Sequence, residues 1–129
     1  MRGVEVTWAG GEHNFHLPIE LLRALQDKCD AGPAWILNRL STKQWRVDDV
    51  IQPIRLGLEG GGMDKQDAYA LAKRHVEDQP LHGSVDTAMV VLMAALFGAE
   101  EDPVGESEAG ADKTTENSSL AENTVGQTT

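Results

Sequence analysis

The sequence is short of the residues that small domains use as staples. Among its 129 residues Cys29 is the one cysteine, so no disulfide framework can form within the chain. Its four histidines, His13, His16, His75 and His82, form no H-E-x-x-H pattern and have no cysteine pair beside them, so neither a zinc site nor a metal cofactor is expected. His13 and His16 lie three apart in an extended segment, which sends them to opposite faces. Basic residues are scarce too: 11 Lys plus Arg face 21 Asp plus Glu, for a net charge of −10. Phosphate-backbone affinity comes from cations displacing counterions, so this excess has the wrong sign for nucleic acid. The longest apolar run, Ala88 to Phe97, falls well short of the roughly 20 residues that span a bilayer. The opening Met-Arg-Gly-Val-Glu-Val lacks a charged region followed by an apolar stretch, and with a lone cysteine it fits a protein kept in a reducing cytoplasm.

What is present is unevenly spread. Residues 1–98 carry 13 acidic and 10 basic side chains with 45 apolar residues, whereas residues 99–129 carry eight acids, one base and seven apolar residues. A segment that acidic and that poor in apolar surface cannot offset its ordering entropy. The chain is therefore expected to hold one folded domain over 1–98 and a disordered acidic tail over 99–129.

Val4, Val6 and Trp8 alternate with Glu5 and Thr7, and after Ala9-Gly10-Gly11-Glu12 a second alternation sets Phe15 and Leu17 opposite His16. This is a β-hairpin pattern whose Trp8, Phe15 and Leu17 should face the core. Helical spacing follows. Ile19, Leu22, Leu25 and Cys29 mark a helix over about 18–30, and Pro33 opens a short helix with Trp35, Ile36, Leu37 and Leu40. Asp48 and Asp49 supply carboxylates to the start of a third helix, marked by Val47, Val50, Ile51, Ile54 and Leu58. Pro53 inside it predicts a kink or a late start. Gly60-Gly61-Gly62 ends that helix, and Asp64 with Asp67 caps a fourth one through Ala68, Leu71, Ala72 and Val76. The fifth is expected from Ser84 to Gly98. Together these elements predict an α+β, mostly α fold, an N-terminal β-hairpin packed on a bundle of four to five helices.

The fifth helix is apolar all round, with Asp86 its one charge between Val85 and Phe97. Helical projection groups Val85, Met89, Leu92, Met93 and Leu96 as the core face, leaving Val90, Val91 and Ala94 opposite with Phe97 at the margin. A domain of this size has little room for a fully central helix. Val90, Val91, Ala94 and Phe97 are therefore expected to form a partner-binding surface, the alternative being that the hairpin covers them.

No catalytic constellation emerges. Gly57 to Lys65 is no phosphate loop, since no Lys-Ser or Lys-Thr follows the last glycine and Glu59 and Asp64 would repel phosphate. Asp48-Asp49 lacks a third group to complete an acid/base site, and Cys29 sits on an apolar stripe as a small hydrophobe. A helix-turn-helix reading fails because Lys65, Lys73 and Arg74 on the would-be recognition helix are balanced by Asp67, Glu77 and Asp78. The sequence predicts no enzyme, cofactor or metal.

The ordered set Trp45-Arg46-Val47-Asp48-Asp49-Val50, then Ile54-Arg55-Leu56-Gly57-Leu58-Glu59-Gly60-Gly61-Gly62, is more specific. With the hairpin before it, Asn38-Arg39-Leu40, the Ala68–Leu71 helix with Val76 and Pro80-Leu81, and the closing Ala94-Ala95-Leu96-Phe97-Gly98, it resembles the small tail protein family of gene transfer agents and related tailed phages. That family is grouped with tail assembly chaperones and is sometimes labelled tail tube protein. The resemblance spans roughly residues 3–98. It implies a non-enzymatic assembly factor that binds the tape measure protein, and possible contacts with other tail proteins. Two further readings stay open: a structural tube component retained in the virion tail, and a homo-oligomeric adaptor with no phage role, whose last helix pairs with itself.

Overall fold

In the computed structural model the described residues are 3–98, together with the backbone of two short paired segments, Asn123–Thr124 and Gln127–Thr128. The tail expected to be disordered otherwise lies outside the described residues.

Strands β1 (Val4–Trp8) and β2 (Gly11–Phe15) form an antiparallel hairpin in the register Val4↔Phe15, Val6↔His13 and Trp8↔Gly11. Burial alternates along β1 as the sequence pattern requires, and Trp8, Phe15 and Leu17 all join the core. Five helices follow: α1 (Ile19–Cys29), α2 (Pro33–Ser41), α3 (Val47–Gly60), α4 (Lys65–Ala72) and α5 (Val85–Phe97). The fold class read from the sequence is the one observed.

Helix α3 is the hub, packing on α1, α4, α5 and β2. Val50, Ile51, Ile54, Leu56 and Leu58 are buried along it. It runs from Val47 to Gly60 with Pro53 buried inside it, so the late start that Pro53 suggests does not occur. The proline forgoes one main-chain hydrogen bond, a cost that the packing of α3 on α1, α4, α5 and β2 offsets.

The three-glycine stretch does more than stop α3. A Cβ on Gly60 would lie 1.8 Å from the carbonyl oxygen of His16, and one on Gly61 1.9 Å from that of Asn14. The main chain of β2 thus rests directly on the end of α3, and the His16 N–H donates to the Gly57 carbonyl at 3.0 Å. Only glycine permits backbones to approach this closely. Gly57 likewise admits its neighbours at close range, since a Cβ there would meet both Phe15 and Val91 at 3.0 Å.

Three exposed residues depart from the helical stripes read in the sequence. Ile19 is 60% exposed, Trp35 58% and Val47 56%. Each lies in the first turn of its helix. In α2 the interior position is instead taken by Arg39, buried beside Ile36 and Leu40. The fourth helix also changes form. After Ala72 it widens into a π turn, Lys73–Glu77, that keeps Val76 buried, and a 3-10 turn over Leu81–Ser84 leads into α5. Asp64 caps α4 as expected, its carboxylate accepting from the Gln66 N–H at 3.1 Å. Ser84 precedes α5 as expected, but its side chain makes no capping hydrogen bond.

Candidate partner-binding surface

Helix α5 owes its orientation to small residues. Ala88 is fully buried, and Val91 comes within contact distance of Gly57 on α3. Ala88, Val91 and Leu92 therefore face the core, and the opposite side of the helix faces solvent. There Val90 is 40% exposed, Met93 47% and Phe97 75%, with Ala94 half-buried between them. These residues recur at the i, i+3, i+4, i+7 spacing that presents a continuous apolar stripe.

The sequence-derived surface is corrected at one position. Val91 is 2% exposed and belongs to the core, whereas Met93, assigned to the core from periodicity, is on the open face. The physical reason is that a helix apolar on all sides carries no internal signal of direction; the groove at Gly57 decides it, and that contact is remote in sequence. Val90, Ala94 and Phe97 remain on the open side.

At the N-terminal end of α5 a cavity of about 200 Å³ opens between α2 and α5. Its walls are Leu40, Trp45, Val85 and Met89, with Lys43, His82 and Asp86 among its polar lining. Asp86 is exposed and lies at the helical position one turn before Val90, so the cavity adjoins the stripe.

The residues weighed for chemistry are placed elsewhere and serve the fold. Asp49 is wholly buried; Arg39 Nε donates to its Oδ2 at 2.8 Å and Arg39 Nη2 to its Oδ1 at 2.7 Å. The same carboxylate accepts from the Arg46 N–H at 2.8 Å, and Arg39 Nη2 also donates to the Cys29 carbonyl at 3.3 Å. One ion pair thus ties the end of α1, the last turn of α2 and the start of α3. The hydrogen bond to Asp49 raises the Arg39 pKa further. Asp48, its exposed neighbour, accepts at Oδ1 from Gln52. In the sequence both aspartates read only as helix-start carboxylates. The pair escapes that reading, since residues 10 apart in separate helices give no periodic signal; an arginine on the apolar stripe of α2 is the available clue.

Cys29 is buried and its thiol donates to the Asp48 carbonyl at 3.3 Å. Burial, then the nearby Asp49 and Asp48 carboxylates, push its pKa up to about 12. A thiol held protonated is a poor nucleophile. His13 accepts at Nδ1 from the Trp8 indole N–H at 3.0 Å, and His75 also packs edge-on against that indole, with ring centres 6.0 Å apart. Both histidines hold the hairpin's tryptophan in place. Among the described residues no group of three His, Cys, Asp or Glu is placed to hold a metal ion. No helix among them is long and apolar enough to cross a membrane.

No curated protein and no solved structure gives a significant match to this chain. A family model described as phage tail tube protein, GTA-gp10, matches residues 2–98, which contain the hairpin, all five helices and the open face of α5. The chain belongs to that phage and gene-transfer-agent tail family.

Proposed function

We propose that this protein is a non-enzymatic tail assembly chaperone that binds the tape measure protein in the cytoplasm of the producing cell, through the open face of α5. The observation that carries this reading is the stripe Val90, Met93, Ala94 and Phe97, apolar residues left open at successive turns along one face of a single helix. An amphipathic helix laid along such a stripe would bury apolar area on both partners, at roughly 25 cal/mol per Å² before ordering costs. The adjoining cavity at Trp45 and Met89 supplies a seat for one anchoring side chain. The acidic composition of residues 99–129 would keep a loaded complex soluble.

The test is co-purification of tape measure protein with the chain and with its Val90→Asp, Phe97→Asp variant. Both positions are exposed, so the variant should keep its far-UV spectrum and melting temperature while losing the client. Retention of the client by the folded variant would remove α5 as the contact surface.

A second reading has its own support. The family is described as a tail tube protein, which favours a structural component retained in the particle, with the same stripe buried between tail subunits.

A further inference from the structure

The hairpin has two outer edges, and they are in different states. On β2 the His16 N–H points outward to the Gly57 carbonyl, and the Asn14 carbonyl points outward to the end of α3. Even-numbered residues of β2 therefore direct their main-chain groups away from β1. In the observed register their partners on β1 are the odd-numbered Glu5 and Thr7, which must likewise direct N–H and C=O away from β2. No main-chain hydrogen bond from outside the hairpin reaches Glu5 or Thr7 among the described residues. Among the described residues the outer edge of β2 is closed by α3, whereas that of β1 is open.

We propose that β1 is a self-pairing edge and that two copies of this chain join through it, antiparallel, about a two-fold axis at Val6. Several features of the strand fit a second copy. Rotation about Val6 sets Glu5 opposite Thr7 of the other copy and Val4 opposite Trp8, so parity is preserved across the junction. Val4, Val6 and Trp8, which face the core, meet their own kind on one side of the joined sheet. Glu5 and Thr7, both exposed, meet each other on the opposite side. The residues with free main-chain groups are the ones this register brings together, so each Glu5–Thr7 pair exchanges two hydrogen bonds and no carboxylate faces a carboxylate. Val6 falls on the axis as a non-hydrogen-bonded pair, where side chains approach most closely. The edge carries no proline and no bulge, two of the devices that prevent pairing, and its one charge, Glu5, meets a neutral threonine. Joining turns two marginal two-stranded hairpins into one four-stranded sheet, with the helices of both copies on the face that carries Val4, Val6 and Trp8.

The experiment is sedimentation equilibrium or light scattering on the full chain over a wide concentration range, with three variants. Thr7→Lys faces Glu5 of the other copy and Glu12 of its own β2, so it should keep or tighten the dimer. Glu5→Lys faces the neutral Thr7 and should leave the dimer in place. Combining the two sets lysine opposite lysine twice and should weaken association by roughly tenfold or more relative to Thr7→Lys, with an unchanged far-UV spectrum. A monomer mass for the unaltered chain at every concentration would overturn the proposal. So would a dimer that the double variant leaves intact, or one that Val90→Asp with Phe97→Asp abolishes, since that would place the junction on α5.

Discussion

Arg39 and Asp49 are joined by two parallel hydrogen bonds of 2.8 and 2.7 Å, with the carboxylate wholly shielded from solvent. The pair closes the corner where α1, α2 and α3 meet, and each partner exists in the interior because of the other. Removing one leaves an uncompensated buried charge, which costs about 3–5 kcal/mol, while replacing both by apolar residues of similar size is far milder.

Asp49→Ala and Arg39→Met should each therefore lower stability by about 3–5 kcal/mol in urea unfolding. Arg39→Met combined with Asp49→Leu should recover much of that loss. Arg39→Lys should also destabilise, since an ammonium cannot reproduce the two-pronged contact. Additive losses in the double variant would show that the two side chains act separately.

The end of α3 gives a test with an unusual sign. Gly→Ala within a helix ordinarily stabilises by about 1 kcal/mol. At Gly60, the last helical residue, and at Gly61 beside it, the added methyl would strike the main chain of β2. Gly60→Ala and Gly61→Ala should instead destabilise and weaken the near-ultraviolet signal of Trp8 as the hairpin lifts. Gly83, with nothing within 4 Å of its Cβ position, serves as the control and should tolerate alanine. Equal stability for all three would contradict the close approach.

Adjacent residues on α5 should behave in opposite ways. Val91→Asp puts a carboxylate into the core without a partner and should abolish cooperative unfolding. Val90→Asp, one residue earlier on the open side, should change the melting temperature little. If the two variants melt alike, the orientation of α5 is wrong.

Alkaline pH probes Cys29. The unfolded thiol ionises near 9.0 and the folded one near 12. A raised folded pKa means that its contribution is fully present below about 9.0 and fades as pH rises toward about 12. The urea midpoint of the native chain should therefore fall further between about pH 8 and pH 10.5 than that of Cys29→Ala. The native thiol should also resist iodoacetamide until the chain unfolds. Rapid alkylation at neutral pH would show that Cys29 is neither buried nor protonated.

Much of this fold is legible in the sequence because it is local. The alternation around Trp8 and Phe15, Pro33 at the start of α2, and Asp64 at the cap of α4 are each set by a few neighbouring residues. The candidate surface is half legible. The excess of apolar residues in α5 announces an open face, but its direction depends on Gly57, more than thirty positions earlier. The same limit hides the Arg39–Asp49 pair and the contact of Gly60 and Gly61 with β2. Charged residues and glycines are ordinarily read as surface and turn, and long-range contact gives them their role here.

The most direct test of the proposed role is quantitative mass spectrometry of this protein in two fractions from producing cells: purified tailed particles, and material that co-purifies with tape measure protein. A chaperone should be enriched on the tape measure protein and missing from finished particles. A fixed copy number in the particles would contradict that role and make the protein a component of the tail.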